Sequence, residues 1–369
     1  MAETKASLEG LLLPVADAPE WDVLVGEALS PNPFFSPAFL VPYAAHLGPS
    51  DLRLAVVRER GGGRWLAAAP VALRRCGFLF RERTFWAAEY GPLGVLLVHP
   101  QAPDEALALL LETAANSSLL LRLPFLPVAG AVTERLKAAA RNWHWLEGQV
   151  EERASHDGGA DGEAQFAAAL TTKRRKEMER LKRRLSEDGE LVFDSLRGAE
   201  ALAAMAEFLA LERSGWKGRG ATALASREAT HRFAEGFAAR LAGQDGLRLD
   251  RMRLDGRPLA LLAVIKSGGR AFAWKIAFDE GFARFSPGQH LALHAMRQTL
   301  ADPLLPLGGD SLAVPGHPMI EPLWRGRMAY AHPVLLRGAA GALLHRLHRL
   351  DAFAFRAAKA LARRILRRR

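Results

Sequence analysis

Apolar and polar positions along the chain follow two periods, and the places where the period changes mark its elements. "NPFFSPAFLVPYAAHL" reads as a loop entering a helix capped near Ser36. The runs "LRLAVVRER" and "RWLAAAPVALRR" have strand character and face each other across Gly61 to Gly63, which predicts a hairpin. After "GPLGVLLV" the pattern predicts a helix over Pro103 to Ala115, a strand over Ser118 to Leu123, a helix over Val132 to Ala140 and a strand near Trp143 to Glu147. "ERASHDGGADG" is polar, rich in Gly and Asp and follows neither period, so a linker is expected at 152–162.

The second half opens with a long charged helix, Glu163 to Glu187, then a strand "ELVFDS" and a helix over Gly198 to Arg213. A loop around "SGWKGRGATAL" leads to a helix over Arg227 to Ala242. The strands "GLRLDRMRL", "RPLALLAVIKS" and "RAFAWKIAFD" are joined by the turns Asp255-Gly256 and Ser267 to Gly269, an antiparallel meander that runs into a helix over Pro287 to Leu300. A strand around Pro306 to Ser311, a short helix near Met319 to Trp324 and a strand near Met328 to Leu335 complete the unit. The expected organisation is an N-terminal domain at 1–151, the linker, a second domain at 163–335 and a tail at 336–369.

Composition narrows the chemistry. The chain has 369 residues, enough for two cores, and a single cysteine, Cys76, which excludes an intrachain disulfide and a Cys-based zinc site. No metal site is expected: His290 and His294 lie four apart on one helix face with no third ligand in view. No apolar run approaches the ~18 residues of a membrane span, and Met1 to Gly10 lacks a signal pattern, so a cytoplasmic location is expected. The net charge of +10 is local: ten Lys/Arg against Asp351 alone, from Leu336 onward, account for +9 of it. A nearly neutral body speaks against a nucleic-acid-binding face. The helix Lys173 to Arg184 carries eight Lys/Arg and two Glu over a narrow apolar stripe, which reads as a solvated face or as an attractor of anionic substrate. In the tail, Leu343, Leu347, Leu350, Ala354, Ala357, Leu361 and Ile365 recur three and four apart among arginines that run on to Arg367, Arg368 and Arg369. Such a basic amphipathic helix can lie on an anionic membrane surface, pack on the body or dimerise.

The segment Ser286 to His290 is the most informative. Ser286, Pro287 and Gln289 form an S-x-x-Q capping box that fixes a helix start, where free N–H groups, the helix dipole and the missing side chain of Gly288 suit a diphosphate. The meander upstream supplies a strand edge of the kind an acyl-CoA arm needs. Acyl transfer also requires a base and a polarised carbonyl. Candidate bases are Asp310 at a strand end, His317 in the next loop and Glu212 in "LERSGW". Each has a structural alternative: a turn cap for Asp310, loop packing for His317, pairing with Lys217 for Glu212. Trp216 and Lys217 line a substrate site or anchor a loop, and Trp324 reads as core.

"AFDEGFARFSPGQHLALHAM", preceded by "KRRKEMERLKRRLSEDGELVFD" and "FLALERSGWKGRGATAL" and followed by "DSLAVPGHPMIEPLWRGR", resembles the GNAT-type acetyltransferases associated with cellulose and exopolysaccharide biosynthesis, the CelD/BcsL-type group. The resemblance covers about Gln165 to Leu335 and extends to "NPFFSPAFL" in the first half. It implies an α+β fold of two tandem GNAT-like domains with mixed sheets flanked by helices, acetyl-CoA or another acyl-CoA as donor, and an amine or hydroxyl as acceptor, without naming the substrate; a small molecule or glycan precursor is the expected carrier of that group. Asp310, His317, Trp324 and Arg327 are its matching positions. Where the family carries Arg/Gln-x-x-Gly-x-Gly/Ala this chain has "SPGQH", with Arg284 two residues upstream. Fem-type aminoacyl-tRNA-dependent transferases, which also pair GNAT-like halves, and a non-catalytic polyanion- or membrane-binding protein are the competing readings. A membrane-linked glycan acceptor would place the protein peripherally, at the inner face of the plasma membrane.

Overall fold

A computed structural model describes residues 7–87 and 90–366 of the chain. Arg367, Arg368 and Arg369, the end of the expected arginine cluster, lie outside the described residues, as does the Ile365 side chain. The chain forms two compact units, one of 1–37, 49–150 and 330–369, the other of 38–48 and 151–329.

The two units repeat one plan. In the first, the strands Leu8–Pro14, Arg53–Glu59, Trp65–Arg75 and Arg81–Phe85 pair antiparallel in that order. After the helix Asp104–Ala115 the strand Leu120–Arg122 joins parallel to Arg81–Phe85. In the second, Leu191–Arg197, Leu247–Leu254, Arg257–Ser267 and Arg270–Phe278 form the antiparallel run. Here the helix Pro287–Leu300 precedes the parallel strand Gly309–Asp310. The meander and the helix after it therefore form as their hydrophobic pattern predicts. Leu259 to Ile265 are all buried because both faces of this strand are covered, and such a strand reads as an unbroken apolar run. The helix presents Leu291, Ala292, Ala295 and Met296 to the same core, one stripe of a 3.6-residue repeat.

Each sheet is completed by a strand distant in sequence. Val334–Leu336 enters the first sheet between Leu120–Arg122 and His144–Leu146. Glu151–His156 enters the second between Gly309–Asp310 and Gly326–Ala331. The expected linker at 152–162 is thus a correction: its first part is this buried strand and its remainder opens the helix Gly159–Ala168. The polar composition misleads because the polar groups are paired inside. Arg153 and Asp310 are 1% and 0% exposed and joined by two hydrogen bonds of 2.8 and 2.6 Å. The boundary expected at 335/336 also moves, since the chain re-enters the first unit at Tyr330.

Smaller differences are local. The long charged helix is two, Gly159–Ala168 and Thr172–Ser186, separated where extended Thr171 accepts the N–H of Arg174 as an N-cap. "SGWKGRG" contains the short helix Trp216–Arg219, Met319 to Trp324 is a run of turns, and the last strand breaks at His332-Pro333. The tail is one helix, Gly338–Leu366. Among the described residues no helix is long and apolar enough to cross a membrane.

Removing one member of a buried ion pair strands the other charge. Asp310→Ala is expected to lower stability by about 3–5 kcal/mol, measured by denaturant unfolding, and the double variant Arg153→Met/Asp310→Leu should recover part of that loss.

Candidate functional site

The site begins where two strands of the second sheet part. Arg270–Phe278 pairs with its antiparallel neighbour along its whole length, with Trp274 left over as a bulge between the pairs Ala273–Val264 and Lys275–Ala263. On the other side it pairs with Gly309–Asp310 only at Ala271 and Phe272. The partner then turns away: the Asp310 carboxylate accepts the N–H of Leu312 at 2.9 Å, and Leu312 takes a left-handed conformation, φ 53°. From Ala273 onward this edge has no neighbouring strand among the described residues. A wedge of about 150 Å³ opens between Ala273 to Ile276 and Ser311 to Ala313. It adjoins a groove of about 350 Å³ between Ile276 to Phe278 and the helix start at Ser286 to Gln289. Lys217, Ile276, His317 and Met319 line both.

At the helix start the capping box does not form. Ser286 is left-handed, φ 55° and ψ 48°, and its hydroxyl makes no cap bond, because an Ncap side chain needs an extended backbone to reach the N–H groups of the first turn. Gln289 instead accepts from the Arg174 guanidinium at 2.5 Å. The expected cradle of N–H groups is correspondingly smaller. Pro287 has none, Ser286 donates to the Ala283 carbonyl, and Gln289 and His290 both donate to the Ser286 carbonyl. Gly288 supplies the N–H this turn can offer a ligand. Its missing side chain makes room for Met319, whose sulfur a Cβ would strike. The local positive charge comes from the helix dipole and from Arg174, a residue of the basic helix that its own sequence pattern did not single out.

Four more expected residues, Glu212, Trp216, Lys217 and His317, line the groove beside the helix start. Glu212 is buried; one carboxylate oxygen accepts from Lys217 Nζ at 3.1 Å and the other from the Leu224 N–H at 2.8 Å. Lys217 Nζ also donates to the Ile276 carbonyl at 2.8 Å, so the ammonium is held at the mouth of the wedge. Glu212, bonded on both oxygens, holds that cation in place. His317 lines the groove and the wedge, and its buried Nδ1 has no hydrogen-bond partner. Burial, and then the nearby Lys217 charge, hold its pKa below the usual imidazole value, so the ring is neutral at pH 7. Trp216 is exposed at the rim, its N–H bonded to the Glu280 carboxylate, which also pairs with Arg219.

The remaining expected residues lie elsewhere. Asp310 is fully buried against Arg153 and cannot reach an acceptor. Trp324 is core, packed edge-on against His156 at 4.6 Å. Arg327 is spent on the carbonyls of Trp324 and Gly326. Arg284 is exposed and stacks on Phe285. His290 points to the far side of its helix, into a cavity shared with His294, Lys182 and Arg297, and burial together with Lys182 and Arg174 pushes its pKa down to about 4. Met319 and Ile276 belong to the site and carry no sequence signal of it, since both read as ordinary apolar residues.

Residues 172–307 match the acetyltransferase (GNAT) domain family. Among solved structures, FemX is 12% identical, with 92% of this chain and 99% of that chain covered and a TM-score of 0.54. A conserved protein of unknown function from Bacteroides thetaiotaomicron is 10% identical over 89% of this chain and 100% of its own, TM-score 0.53. A tandem GNAT protein from the clavulanic acid biosynthesis pathway is 18% identical over 90% and 99%, TM-score 0.43. No curated protein matches the chain by sequence. The chain has the α+β fold expected of it, mixed sheets flanked by helices in a GNAT-like arrangement with a C-terminal helix.

The neighbouring ammonium gives a direct check on His317. An NMR titration of the imidazoles should place His317 below 6.5, and Lys217→Met should move it upward, because a positive charge that disfavours the imidazolium is gone.

Proposed function

We propose that the second unit is an acyl-CoA-dependent acyltransferase, with acetyl-CoA as the first donor to test, acting on an amine or hydroxyl of a small molecule or glycan precursor. The observation that carries this reading is the parted strand pair with Lys217 and His317 at its mouth and a helix start alongside. An extended thioester arm fits the open edge of Arg270–Phe278, and a diphosphate fits the Gly288 N–H and the Arg174 guanidinium, which an incomplete phosphate loop otherwise leaves short of donors. Likeness in "AFDEGFARFSPGQHLALHAM" to the exopolysaccharide-associated acetyltransferases favours a glycan precursor as acceptor.

The thioester supplies an activated carbonyl, and the residues of this chain supply charge and a proton path. The neutral His317 imidazole, which lines the groove and the wedge, takes the proton from the acceptor nitrogen or oxygen as it attacks the carbonyl carbon. Lys217 faces the oxygen on which negative charge develops, and Glu212 keeps the ammonium in place. When the carbon–sulfur bond breaks, the leaving thiolate takes the proton from the His317 imidazolium, so that acceptor, thiol and enzyme end balanced. Glu212 is a positioning residue and Asp310 a structural one.

Titration of the folded protein with acetyl-CoA by calorimetry tests the donor: saturable binding supports the transferase, and its absence favours a non-catalytic polyanion-binding role or an aminoacyl-tRNA donor. Gly288→Glu, which displaces Met319 and places a carboxylate beside the diphosphate site, is expected to weaken that binding at least about 100-fold, or 2.7 kcal/mol.

With an acceptor in hand, His317→Gln should lower kcat by roughly 10²–10⁴ while leaving donor affinity unchanged. The acid limb of the kcat/KM profile reports protonation of the base. It should fall below 6.5, the ordinary imidazole value, because burial lowers the pKa of His317, and it should vanish in the Gln variant.

A further inference from the structure

The helix Gly338–Leu366 is fixed on the first unit by one face. Gly341 lies against the Leu119 carbonyl, which a side chain would strike, and Leu344 packs beside Leu120, Val334 and Leu336. His348 is buried next to Cys76 and Glu82. Burial, followed by the Glu82 charge, pushes the Cys76 thiol up to about 12, and Glu82 accepts two hydrogen bonds from Arg122. One turn further on, the Asp351 carboxylate accepts the N–H groups of Phe78, Leu79 and Phe80 at 2.9–3.1 Å. These contacts set the rotation of the helix.

That rotation turns a second stripe outward. Leu343, Leu347, Leu350 and Leu361, 42–66% exposed, share a face with Ala354 and Ala357 at alternating spacings of four and three. Leu79, on the loop that Asp351 holds, is 81% exposed. Six cations of the same helix, Arg346, Arg349, Arg356, Lys359, Arg363 and Arg364, are all exposed; Arg346 and Arg364 border the stripe and the other four lie on the face behind it. Asp351 is the helix's single acid, and its oxygens are occupied by the loop. The helix spans about 43 Å at 1.5 Å per residue, yet it is too polar to cross a bilayer.

We propose that this face docks in the plane of an anionic phospholipid surface, with the leucines entering the acyl boundary and the arginines at the headgroups. Charge selects this occupant over a second copy of the chain. The spacing would also suit a coiled-coil seam, but two such helices side by side would bring Arg346 and Arg364 of each copy to the seam with no acid of the helix free to compensate. An anionic surface satisfies both the apolar stripe and its charges.

The full-length protein sedimented with vesicles of phosphatidylcholine and phosphatidylglycerol in equal parts should bind, and with phosphatidylcholine alone should not. Leu347→Asp/Leu350→Asp should abolish binding. Arg346→Gln/Arg364→Gln, which changes no apolar residue, should weaken it roughly 30-fold. An unchanged thermal midpoint shows that each variant folds, and sedimentation velocity run in parallel reports mass. Failure to bind the mixed vesicles, equal binding to both kinds, or a dimer that the Leu347→Asp/Leu350→Asp variant dissociates would each overturn the proposal, the last assigning the face to a second copy.

Discussion

The second unit depends on the ion pair between Arg153 and Asp310. It lies inside the sheet, on two strands that are short and far apart in sequence, and it fixes both. Asp310 does two things with one carboxylate: it neutralises Arg153 and it holds the Leu312 N–H, which bends the chain off the sheet after only two paired residues. The parting of the strands, and hence the wedge and groove, follows from that bend. A sheet normally satisfies its backbone groups by continuing to pair. Here pairing is stopped by a buried charge, and the open edge that results is where Lys217 reaches the Ile276 carbonyl.

What the sequence made legible was local. The meander, its turns and the helix from Pro287 could be read because strand and helix periods show in a few consecutive residues, and the left-handed glycines at the turns carry their own signature. The polar stretch at 152–162 could not, because its Arg153 is hidden by a partner 157 positions away, and burial of a charge is invisible until that partner is found. Ser286 misled differently. S-P-G-Q has the letters of a capping box, but the left-handed turn out of the preceding helical turn, Glu280–Phe285, fixes the backbone before the side chain can cap. Of the residues expected to carry chemistry, Glu212 and Lys217 are close in sequence and bonded to each other, and His317, 100 positions further on, lines the same groove through the fold. Trp324 and Arg327, chosen for motif position alone, serve packing and loop carbonyls.

The side chains around the groove are held by different parts of the chain. The Lys217 ammonium is set by the helix Gly198–Ser214 through Glu212, the His317 imidazole lies on the loop after Asp310, and the Arg174 guanidinium, bonded to Gln289, comes from the basic helix Thr172–Ser186. Each is tied to a different element, so the distances among them are maintained by the unit's core and not by any single loop. That arrangement suits a site whose reacting atoms need fixed separations.

The exchange of terminal strands has a bearing on how the molecule is made. The first sheet lacks Val334–Leu336 until the second unit has been translated, so the facing edges of Leu120–Arg122 and His144–Leu146 have no partner strand between them before then. Unpaired edges invite association with other chains. The first unit therefore completes its sheet only after the second has been made.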